Sequence, residues 1–340
     1  MVCSSNEGAF PDAPHENSPG TAPTGVSRKL TCSVVVCTRD RSEALEKCLR
    51  AASRLDYPTF DLVVVDSGSK DPRAQEIAQR HGARYLREPK PGVSRARNRG
   101  ARACNTEVIA FLDDDALPEP DWLSALALEF QDPQVMVVSG RILSLTVETE
   151  AEILFERMGG FDVGEQRWEV GREHPLWFVL ANFGGLGNEA NLALRRRAFD
   201  LWPGFDERLG PGTTIGTGAE GPYALFSLID RGRRVVYTPQ AVVRHPYPRT
   251  MPELRARHLR SLSNATAYMT LLLVEEPRYR WAVIRYVAEA VRGKRRAWRP
   301  PLPGTQPYPR IIPRWRAGLA LLAGPVLYLW ACVTRGAQRR

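Results

Sequence analysis

Three consecutive carboxylates, Asp113, Asp114 and Asp115, directly follow the apolar run 108–112. Such a run is typical of a buried central strand. Ligands of open α/β sheets bind beyond the carboxyl ends of the strands, and hard oxygen ligands suit Mg²⁺ or Mn²⁺. On an extended backbone Asp113 and Asp115 point the same way, whereas Asp114 points oppositely. The spacing therefore predicts a divalent-metal site, and the alternative is a solvated acidic turn that caps a helix near residues 118–122.

Arginines recur between Arg95 and Arg102, around the predicted start of a helix that follows Pro91 and Gly92. Arginine side chains bind phosphate oxygens through paired N–H groups, and the free N–H groups of a first helical turn add to them. The segment therefore indicates a site for negative charge. The alternative is a solvated basic helix face.

Two strands must position these residues. An apolar run at 33–37 is followed by Thr38 and Arg39, and the next such run is followed by Asp66 and Ser67. Each run precedes a helical pattern, and successive strand–helix units predict an α/β fold with a parallel, doubly wound sheet. We therefore expect these polar residues to share the edge of the sheet that carries the aspartates.

The composition is that of a basic globular protein. The 340 residues are 43% hydrophobic, which is enough to bury one large domain or two modest ones. The net charge of +9 predicts an anionic partner, such as nucleotide phosphates or an acidic lipid surface. Nucleic acid is not expected, because basic residues are not interleaved with aromatics on one evident surface. Six cysteines without a CxxC pair favour a reducing, cytoplasmic compartment.

Composition divides the chain into four parts. Residues 1–29 lack the basic and apolar regions of a signal peptide and are predicted to be a disordered tail. Residues 30–250 hold the predicted sheet and form the expected catalytic domain. Residues 251–299 are predicted to form basic helices, and residues 300–340 combine a Pro-rich linker with an apolar, membrane-associating segment.

The apolar segment 317–333 carries no charge and is flanked by arginines. Its length is at the short limit for crossing a bilayer, so we expect an embedded or interfacial membrane contact through residues 315–335, with a core helix as the alternative. Trp315, Tyr328 and Trp330 fit a belt at the level of the lipid headgroups. The basic flanks favour the cytoplasmic face of the membrane.

Several motifs follow one another along the chain: the strand ends at Thr38 and Asp66, the segment 91–100, the aspartates, and a Pro-Asp-Trp-Leu sequence at 120–123. In order and spacing they closely resemble glycosyltransferase family 2, whose members are nucleotide-sugar enzymes of the GT-A fold. The resemblance covers about residues 30–245. It implies a GT-A-type, Rossmann-like, mostly parallel sheet, here with a C-terminal helical extension.

The resemblance also implies individual roles. Asp113 and Asp115 correspond to the acids of the family's DXD motif, which hold a divalent cation, and His245 is a further candidate ligand. Asn188 or Asn191 is expected near the donor sugar. The residues expected to contact the donor nucleotide and its diphosphate are Thr38, Arg39, Asp66, Ser67, Arg97, Asn98 and Asp113.

The general base is the least regular part of the resemblance. Most relatives have a Glu-Asp pair at the start of a helix, where this chain has Glu220 followed by Gly221. We predict Glu220 as the base that removes the acceptor proton, with Asp206 as the second choice. The alternative is that Glu220 only complements the helix dipole.

The sequence thus predicts a metal-dependent, inverting glycosyltransferase that uses a nucleotide diphosphate sugar, expected to be UDP-linked, and Mg²⁺ or Mn²⁺. Inversion is implied by the resemblance alone. A sugar nucleotidyltransferase is one alternative, although the loop Thr38 to Arg41 lacks the Gly and Lys that such an enzyme needs. A catalytically silent nucleotide-binding scaffold at a membrane is the other. The sequence does not identify the sugar or the acceptor. The acceptor hydroxyl is expected on a lipid-linked molecule, a glycan or a natural product.

Overall fold

A computed structural model describes residues 29–213, 215–216, 218–292 and 310–338. The predicted tail 1–29 lies, apart from Lys29, outside the described residues. Residues 293–309, with the basic end of the predicted helical region and most of the Pro-rich linker, also lie outside them.

The described residues form one sheet of nine strands. Eight of them follow the order β3-β2-β1-β4-β8-β6-β9-β5, and β7 pairs with β9 outside that path. The strands are β1 (Cys32–Thr38), β2 (Phe60–Ser67), β3 (Arg84–Glu88), β4 (Val108–Asp113), β5 (Leu117–Pro118), β6 (Val135–Ser144), β7 (Trp168–Val170), β8 (Asn191–Arg195) and β9 (Arg234–His245).

Helices alternate with the first strands and dominate the C-terminal part. The segment 145–182, for which the sequence supports no clear element, holds two short helices and one short strand. The helices in the described ranges are α1 (Ser42–Ala52), α2 (Arg73–Arg80), α3 (Val93–Ala103), α4 (Trp122–Glu129), α5 (Glu150–Arg157), α6 (Trp177–Asn182), α7 (Glu220–Asp230), α8 (Met251–Glu275), α9 (Arg280–Val291) and α10 (Arg314–Gln338).

The four strands β3, β2, β1 and β4 run parallel. In their register, Thr38 of β1 lies opposite Asp66 of β2, and Cys37 lies opposite Asp113 of β4. The polar residues that follow these strands therefore meet at one edge of the sheet, which we call the rim. The predicted α/β class with a doubly wound, mostly parallel sheet is confirmed, and β8 joins the far side of β4 in the antiparallel direction.

Alternating side chains of the central strands enter two apolar layers, as the two-residue period of a strand requires. Val35 and Phe111 pack with residues of α3, α7 and α8. Val34, Val36 and Leu112 pack with residues of α1, α2 and α4. The strands are buried on both faces, which explains their continuous apolar sequences.

The C-terminal helices belong to the same structure as the sheet. Helix α8 begins at a capping box, in which Thr250 and Glu253 bond to each other's backbone N–H groups. Helix α10 packs against α8, and Tyr328 and Ala331 of α10 enter the apolar layer that α8 shares with the sheet. The predicted C-terminal helical extension is confirmed.

Helix α10 contains the predicted apolar segment. Within the described ranges, one helical stretch, Arg314–Thr334, is long and apolar enough to cross a membrane, with a mean hydropathy of 1.8 and 17% of it buried. Trp315 and Trp330 are about 60% exposed, at 62% and 60%. The prediction that Tyr328 joins them in a lipid-facing belt is wrong, because Tyr328 is 3% exposed and its hydroxyl donates to Glu275 Oε1 over 2.9 Å.

Candidate active site

Asp113, Asp115 and His245 form a group that we call the metal-side cluster. One potential ligand atom from each lies within 4.8 Å of the others. Asp113 ends β4, Asp115 follows it, and His245 ends β9, so two chain segments meet at the rim. Two carboxylates and an imidazole form a donor set that fits a divalent cation.

His245 is held in a defined orientation at this cluster. Its Nδ1 lies 2.9 Å from the carbonyl oxygen of Pro246, and its Nε2 lies 3.1 Å from Asp115 Oδ1. Burial lowers the pKa of His245, but the hydrogen bond to Asp115 and the charges of Asp115 and Asp113 outweigh burial and raise it. Orientation of one ring nitrogen by a backbone carbonyl is typical of histidines that can serve as metal ligands.

Asp114 faces away from the metal-side cluster, as the alternation along the backbone predicts. Its Oδ2 accepts a hydrogen bond of 2.7 Å from Thr38 Oγ1, and its Oδ1 lies 3.2 Å from Arg41 Nη1. The same Arg41 nitrogen is 2.7 Å from Asp115 Oδ2. Burial raises the pKa of Asp114 to about 6 although Arg41 and Thr38 lower it. Asp114 therefore joins the ends of β1 and β4 and is not part of the cluster.

Arg97 connects the metal-side cluster to a second group of acids. Its Nη2 donates to Asp113 Oδ1 over 3.0 Å and its Nη1 to Glu220 Oε1 over 3.0 Å. The Arg97 side chain is 3% exposed. Burial lowers its pKa, but Asp113, Glu220 and Glu189 outweigh burial and raise it, so the guanidinium is charged. For Arg97 the alternative of a solvated basic helix face is therefore wrong.

Glu220 and Glu189 form this second group, the acid pair. Glu220 is the first residue of α7, as predicted, and its side chain is fully buried. Its Oε2 accepts a hydrogen bond of 3.2 Å from the backbone N–H of Ala219. The loop at Gly210 covers Glu220 closely, since a Cβ at Gly210 would lie 2.8 Å from Glu220 Oε1. Glu220 is therefore bound on both carboxylate oxygens and shielded.

Glu189 was missed by sequence reasoning. It lies in the loop between α6 and β8, and its carbonyl oxygen is 3.4 Å from Arg97 Nη2. The residue is partly exposed, but its Oε2 is buried and has no hydrogen-bond partner among the described residues. Burial and the charge of Glu220 raise the pKa of Glu189 to about 8 although Arg97 lowers it. The available signal was that Glu189 is the one carboxylate in the glycine-rich segment 184–190.

The predicted nucleotide-contacting residues at the rim are held by the protein itself. Asp66 is fully buried and its Oδ2 accepts hydrogen bonds from Tyr85, over 2.7 Å, and Arg87, over 3.0 Å. Ser67 Oγ accepts from the N–H of Gly92 over 3.0 Å. These contacts connect the end of β2 to β3 and to the start of α3. Their roles toward a nucleotide stay predictions, as do those of Thr38 and of the exposed Arg39.

The predicted asparagines differ in their surroundings. The Asn98 amide exchanges two hydrogen bonds of 2.8 Å with the backbone of Phe205. Asn191 is fully buried and bonds to the Trp122 indole N–H over 2.8 Å and to the carbonyls of Arg141 and Ala241. These amides join loops and strands.

Asn188, in contrast, is partly exposed, and its Oδ1 accepts from the N–H of Ala190 over 2.9 Å. It is therefore the better placed of the two asparagines that the sequence proposes for the sugar. The second-choice base, Asp206, pairs with Arg208, whose Nε lies 3.0 Å from Asp206 Oδ1.

Comparison with known proteins identifies relatives for most of this region. Residues 33–200 match the family described as Glycosyl transferase family 2. The chain is 28% identical over 239 residues, 69% of its length, to the pre-mycofactocin glycosyltransferase of Mycobacterium tuberculosis, and it spans only 46% of that protein. It is 26% identical over 231 residues, 64% of its length and 69% of the relative's, to the glucosyl-dolichyl phosphate glucuronosyltransferase of Haloferax volcanii.

The fold also has a counterpart among solved structures. A mannosyltransferase from Pyrobaculum calidifontis, in complex with GDP-Man and Mn²⁺, matches 90% of this chain and 74% of its own with a TM-score of 0.51. The identity is 19%, so the likeness shows a shared fold.

Proposed function

Because residues 33–200 match glycosyl transferase family 2, we propose that this chain is a glycosyltransferase that transfers a glycosyl group from a nucleotide diphosphate sugar to an acceptor hydroxyl with the help of Mg²⁺ or Mn²⁺. The observation that carries the proposal is the metal-side cluster at the rim, with the charged Arg97 beside it. The donors in the relatives' names do not decide the sugar, so a UDP-linked donor stays a prediction. The family leaves no support for the nucleotidyltransferase alternative.

The residues present fit a divalent cation. Asp113, Asp115 and His245 would hold it, and it would neutralise charge on the diphosphate leaving group. Arg97 orients Asp113 through the hydrogen bond of 3.0 Å and keeps a positive charge beside the cluster in the absence of solvent. The GDP-Man and Mn²⁺ in the Pyrobaculum mannosyltransferase make Mn²⁺ a natural first probe.

The residues of the rim would bind the rest of the donor. Thr38, Arg39, Asp66 and Ser67 lie at the ends of β1 and β2, where the nucleoside of a donor would lie. Asn188 is proposed to contact the sugar. An acceptor oxygen that attacks the anomeric carbon opposite the diphosphate gives inversion, and a carboxylate near Arg97 accepts the proton. Glu220 in that role remains a prediction from the family resemblance.

Hydrolysis of donor tests this function, because water replaces the unknown acceptor. Wild type should hydrolyse one donor from a panel of UDP- and GDP-sugars, only with Mg²⁺ or Mn²⁺ present. Asp115→Asn should abolish turnover, whereas Asp61→Asn, an exposed aspartate near the opposite end of β2, should leave it unchanged. Equal turnover in wild type and Asp115→Asn would contradict the metal site. Donor binding without any turnover would favour the silent scaffold, which the glycine at position 221 also allows.

We further propose that α10 contacts an anionic membrane surface. Its exposed apolar residues recur at helical spacing, which places them in one stripe, while Tyr328 on another side packs against α8. Arg314 and Arg316 are exposed at its start. An exposed apolar stripe beside arginines is typical of a helix that lies in the interface of an acidic bilayer. The stripe consists of Trp315, Leu319, Leu322, Val326, Leu329 and Val333.

Sedimentation with vesicles tests this contact. The full chain should bind vesicles that contain phosphatidylglycerol and bind pure phosphatidylcholine more weakly. The double variant Leu322→Glu and Val326→Glu should lose most of the binding. Leu128→Glu, at an exposed apolar position of α4, is the matched control. Unchanged binding in the double variant would contradict the membrane contact, and the donor hydrolysis above is independent of this result. A lipid-linked acceptor, which the name of the Haloferax relative suggests, would fit such a contact.

A further inference from the structure

The two members of the acid pair differ in access. Glu220 is fully buried, bound by Arg97 and Ala219, and covered by the loop at Gly210. An acceptor hydroxyl could reach it only after this ion pair and loop had moved. Glu189, in contrast, is a partly exposed residue of the loop before β8. Of the pair, Glu189 is therefore the residue with some exposure and with a carboxylate oxygen, Oε2, that has no hydrogen-bond partner among the described residues.

The space at position 221 is filled by Glu189. A Cβ at Gly221 would lie 2.5 Å from Glu189 Oε2 and 3.2 Å from Glu189 Cβ. A side chain at this position of α7 would thus enter the volume that the Glu189 carboxylate occupies. The backbone of Gly221 is not in the left-handed region, so local conformation does not require the glycine. A larger residue at position 221 would therefore have to displace the Glu189 carboxylate.

The Oε2 atom of Glu189 is buried and has no hydrogen-bond partner among the described residues. A buried carboxylate oxygen without a hydrogen-bond partner is costly, and such atoms in a native structure call for a functional explanation. A hydroxyl group arriving from the partly exposed side would satisfy it by donating a hydrogen bond. The nearest charged groups are Arg97 and Glu220, which are paired with each other.

We infer that Glu189, reaching into the space left by Gly221, is the general base that receives the acceptor proton, and that Glu220 is a positioning residue that holds Arg97. This inference rests on the proposed glycosyl transfer. It assigns to Glu189 the role that the sequence predicted for Glu220. Glu189 acts from the loop before β8, and α7 supplies the space at Gly221 and the Glu220 side chain that holds Arg97.

The step is balanced within the proposed reaction. The acceptor O–H bond breaks and its proton passes to Glu189 Oε2. The acceptor oxygen forms the new bond to the anomeric carbon. The bond from that carbon to the diphosphate oxygen breaks, and its electron pair leaves with the diphosphate. In donor hydrolysis water takes the place of the acceptor, so the same proton transfer occurs.

The raised pKa of Glu189 suits a general base. A carboxylate accepts a proton more readily when its pKa lies near the working pH. Burial and the charge of Glu220 raise the pKa of Glu189 to about 8. The carboxylate form is the active one, so turnover should rise with pH until it passes this pKa. Replacement of Glu189 should remove the rise.

Donor hydrolysis by purified full-length variants tests the assignment. Glu189→Gln should lower the turnover of the wild-type donor by about 100-fold or more, within the range expected for loss of a general base. It should also flatten the acid side of the pH profile while nucleotide binding with Mn²⁺ stays at the wild-type level. Glu165→Gln, which removes an 83% exposed carboxylate, is the control and should change nothing.

A transplant of the acid gives a second test. Gly221→Asp alone should impair turnover, because the new side chain meets Glu189 Oε2. The double variant Glu189→Ala and Gly221→Asp should turn over donor at least about tenfold faster than Glu189→Ala alone, since the aspartate carboxylate enters the vacated space. Glu220→Gln should also lower turnover. Because it removes a charge that raises the pKa of Glu189, it should shift the acid side of the pH profile to lower pH without flattening it.

The outcomes separate the two levels of the proposal. Turnover of Glu189→Gln within about twofold of wild type would overturn the assignment and leave glycosyl transfer standing. So would a pH profile that flattens in Glu220→Gln and persists in Glu189→Gln. A wild-type protein that turns over no donor in the panel would overturn the proposed function, and the assignment with it.

Discussion

The metal-side cluster and the acid pair lie on two sides of Arg97 and differ in exposure. The side chains of Asp113, Asp115 and His245 are 30%, 21% and 16% exposed, whereas that of Glu220 is fully buried. The first group faces the rim, where an ion can enter from solvent. In the second group, Glu220 contacts only other residues of the protein among the described contacts. Exposure therefore distinguishes the metal-side cluster from the acid pair, in which Glu220 and the Oε2 atom of Glu189 are buried.

Both groups depend on one positive charge. The Nη1 and Nη2 atoms of Arg97 each lie 3.0 Å from a carboxylate, one on each side. A buried arginine shared in this way offsets the charges of two carboxylates, of which that of Glu220 is fully buried. Substitution of Arg97 should therefore affect both groups. Substitution of a residue that contacts only one of them should affect only that group.

Arg97→Met is expected to have the largest effect. It removes the shared cation and leaves Glu220 and Asp113 uncompensated, which should cost about 3–5 kcal/mol of the free energy of unfolding. Urea denaturation monitored by circular dichroism measures the change. Arg99→Met, at an exposed position of the same helix, should change it by less than about 0.5 kcal/mol. Equal midpoints for the two variants would refute the central position of Arg97.

Gly210→Ala should disturb the acid pair alone. Gly210 has φ +96°, and an added Cβ would lie 2.6 Å from Val93 Cγ1 and 2.8 Å from the Glu220 carboxyl carbon. We expect a loss of about 1–3 kcal/mol from backbone strain, and lower donor turnover, with unchanged Mn²⁺ affinity. Gly82→Ala, with φ +65° and no atom within 4 Å of its added Cβ, provides the control for strain without the contact. A parallel loss of Mn²⁺ affinity in Gly210→Ala would show that the two groups are not separable.

Arg41→Gln should affect only the metal-side cluster, and weakly. Arg41 is 57% exposed, and its Nη1 lies 2.7 Å from Asp115 Oδ2, so it competes with a cation for that oxygen. An exposed ion pair contributes about 0–1 kcal/mol, and its loss should raise the Mn²⁺ affinity by up to about fivefold. Titration calorimetry in the presence of UDP measures it. Arg50→Gln, an exposed pair on α1, should leave the affinity unchanged; weaker Mn²⁺ binding in Arg41→Gln would mean that Arg41 supports the cluster.

The parts of the structure that depend on local sequence were predictable. The strands β1, β2 and β4 have continuous apolar sequences that end in polar residues, so both the sheet and the rim followed from them. The opposite directions of Asp113 and Asp114 follow from the strand period. The stretch 145–182 was not predictable, because its elements are short and their apolar residues pack against distant aromatics.

One prediction was wrong and one residue was missed for the same kind of reason. Tyr328 lies in an apolar sequence flanked by arginines, which is typical of a residue at a membrane interface. Its hydroxyl instead donates to Glu275, a residue of another helix. Glu189 has no distinctive sequence context and yet contacts the space of Gly221. In both cases the partner is far along the chain, and no periodicity or motif identifies it.

The sequence by itself determined the α/β sheet and the position of the aspartates at the end of β4, because each depends on residues adjacent in the chain. The order of the motifs along the chain gave the family resemblance. Only the tertiary structure decided which acids surround Arg97. Glu220 lies 123 positions from Arg97, and their contact exists because α3 and α7 pack on the same face of the sheet. The loop before β8 then brings Glu189 to Gly221. The burial that raises the pKa of Glu189 arises only from that packing.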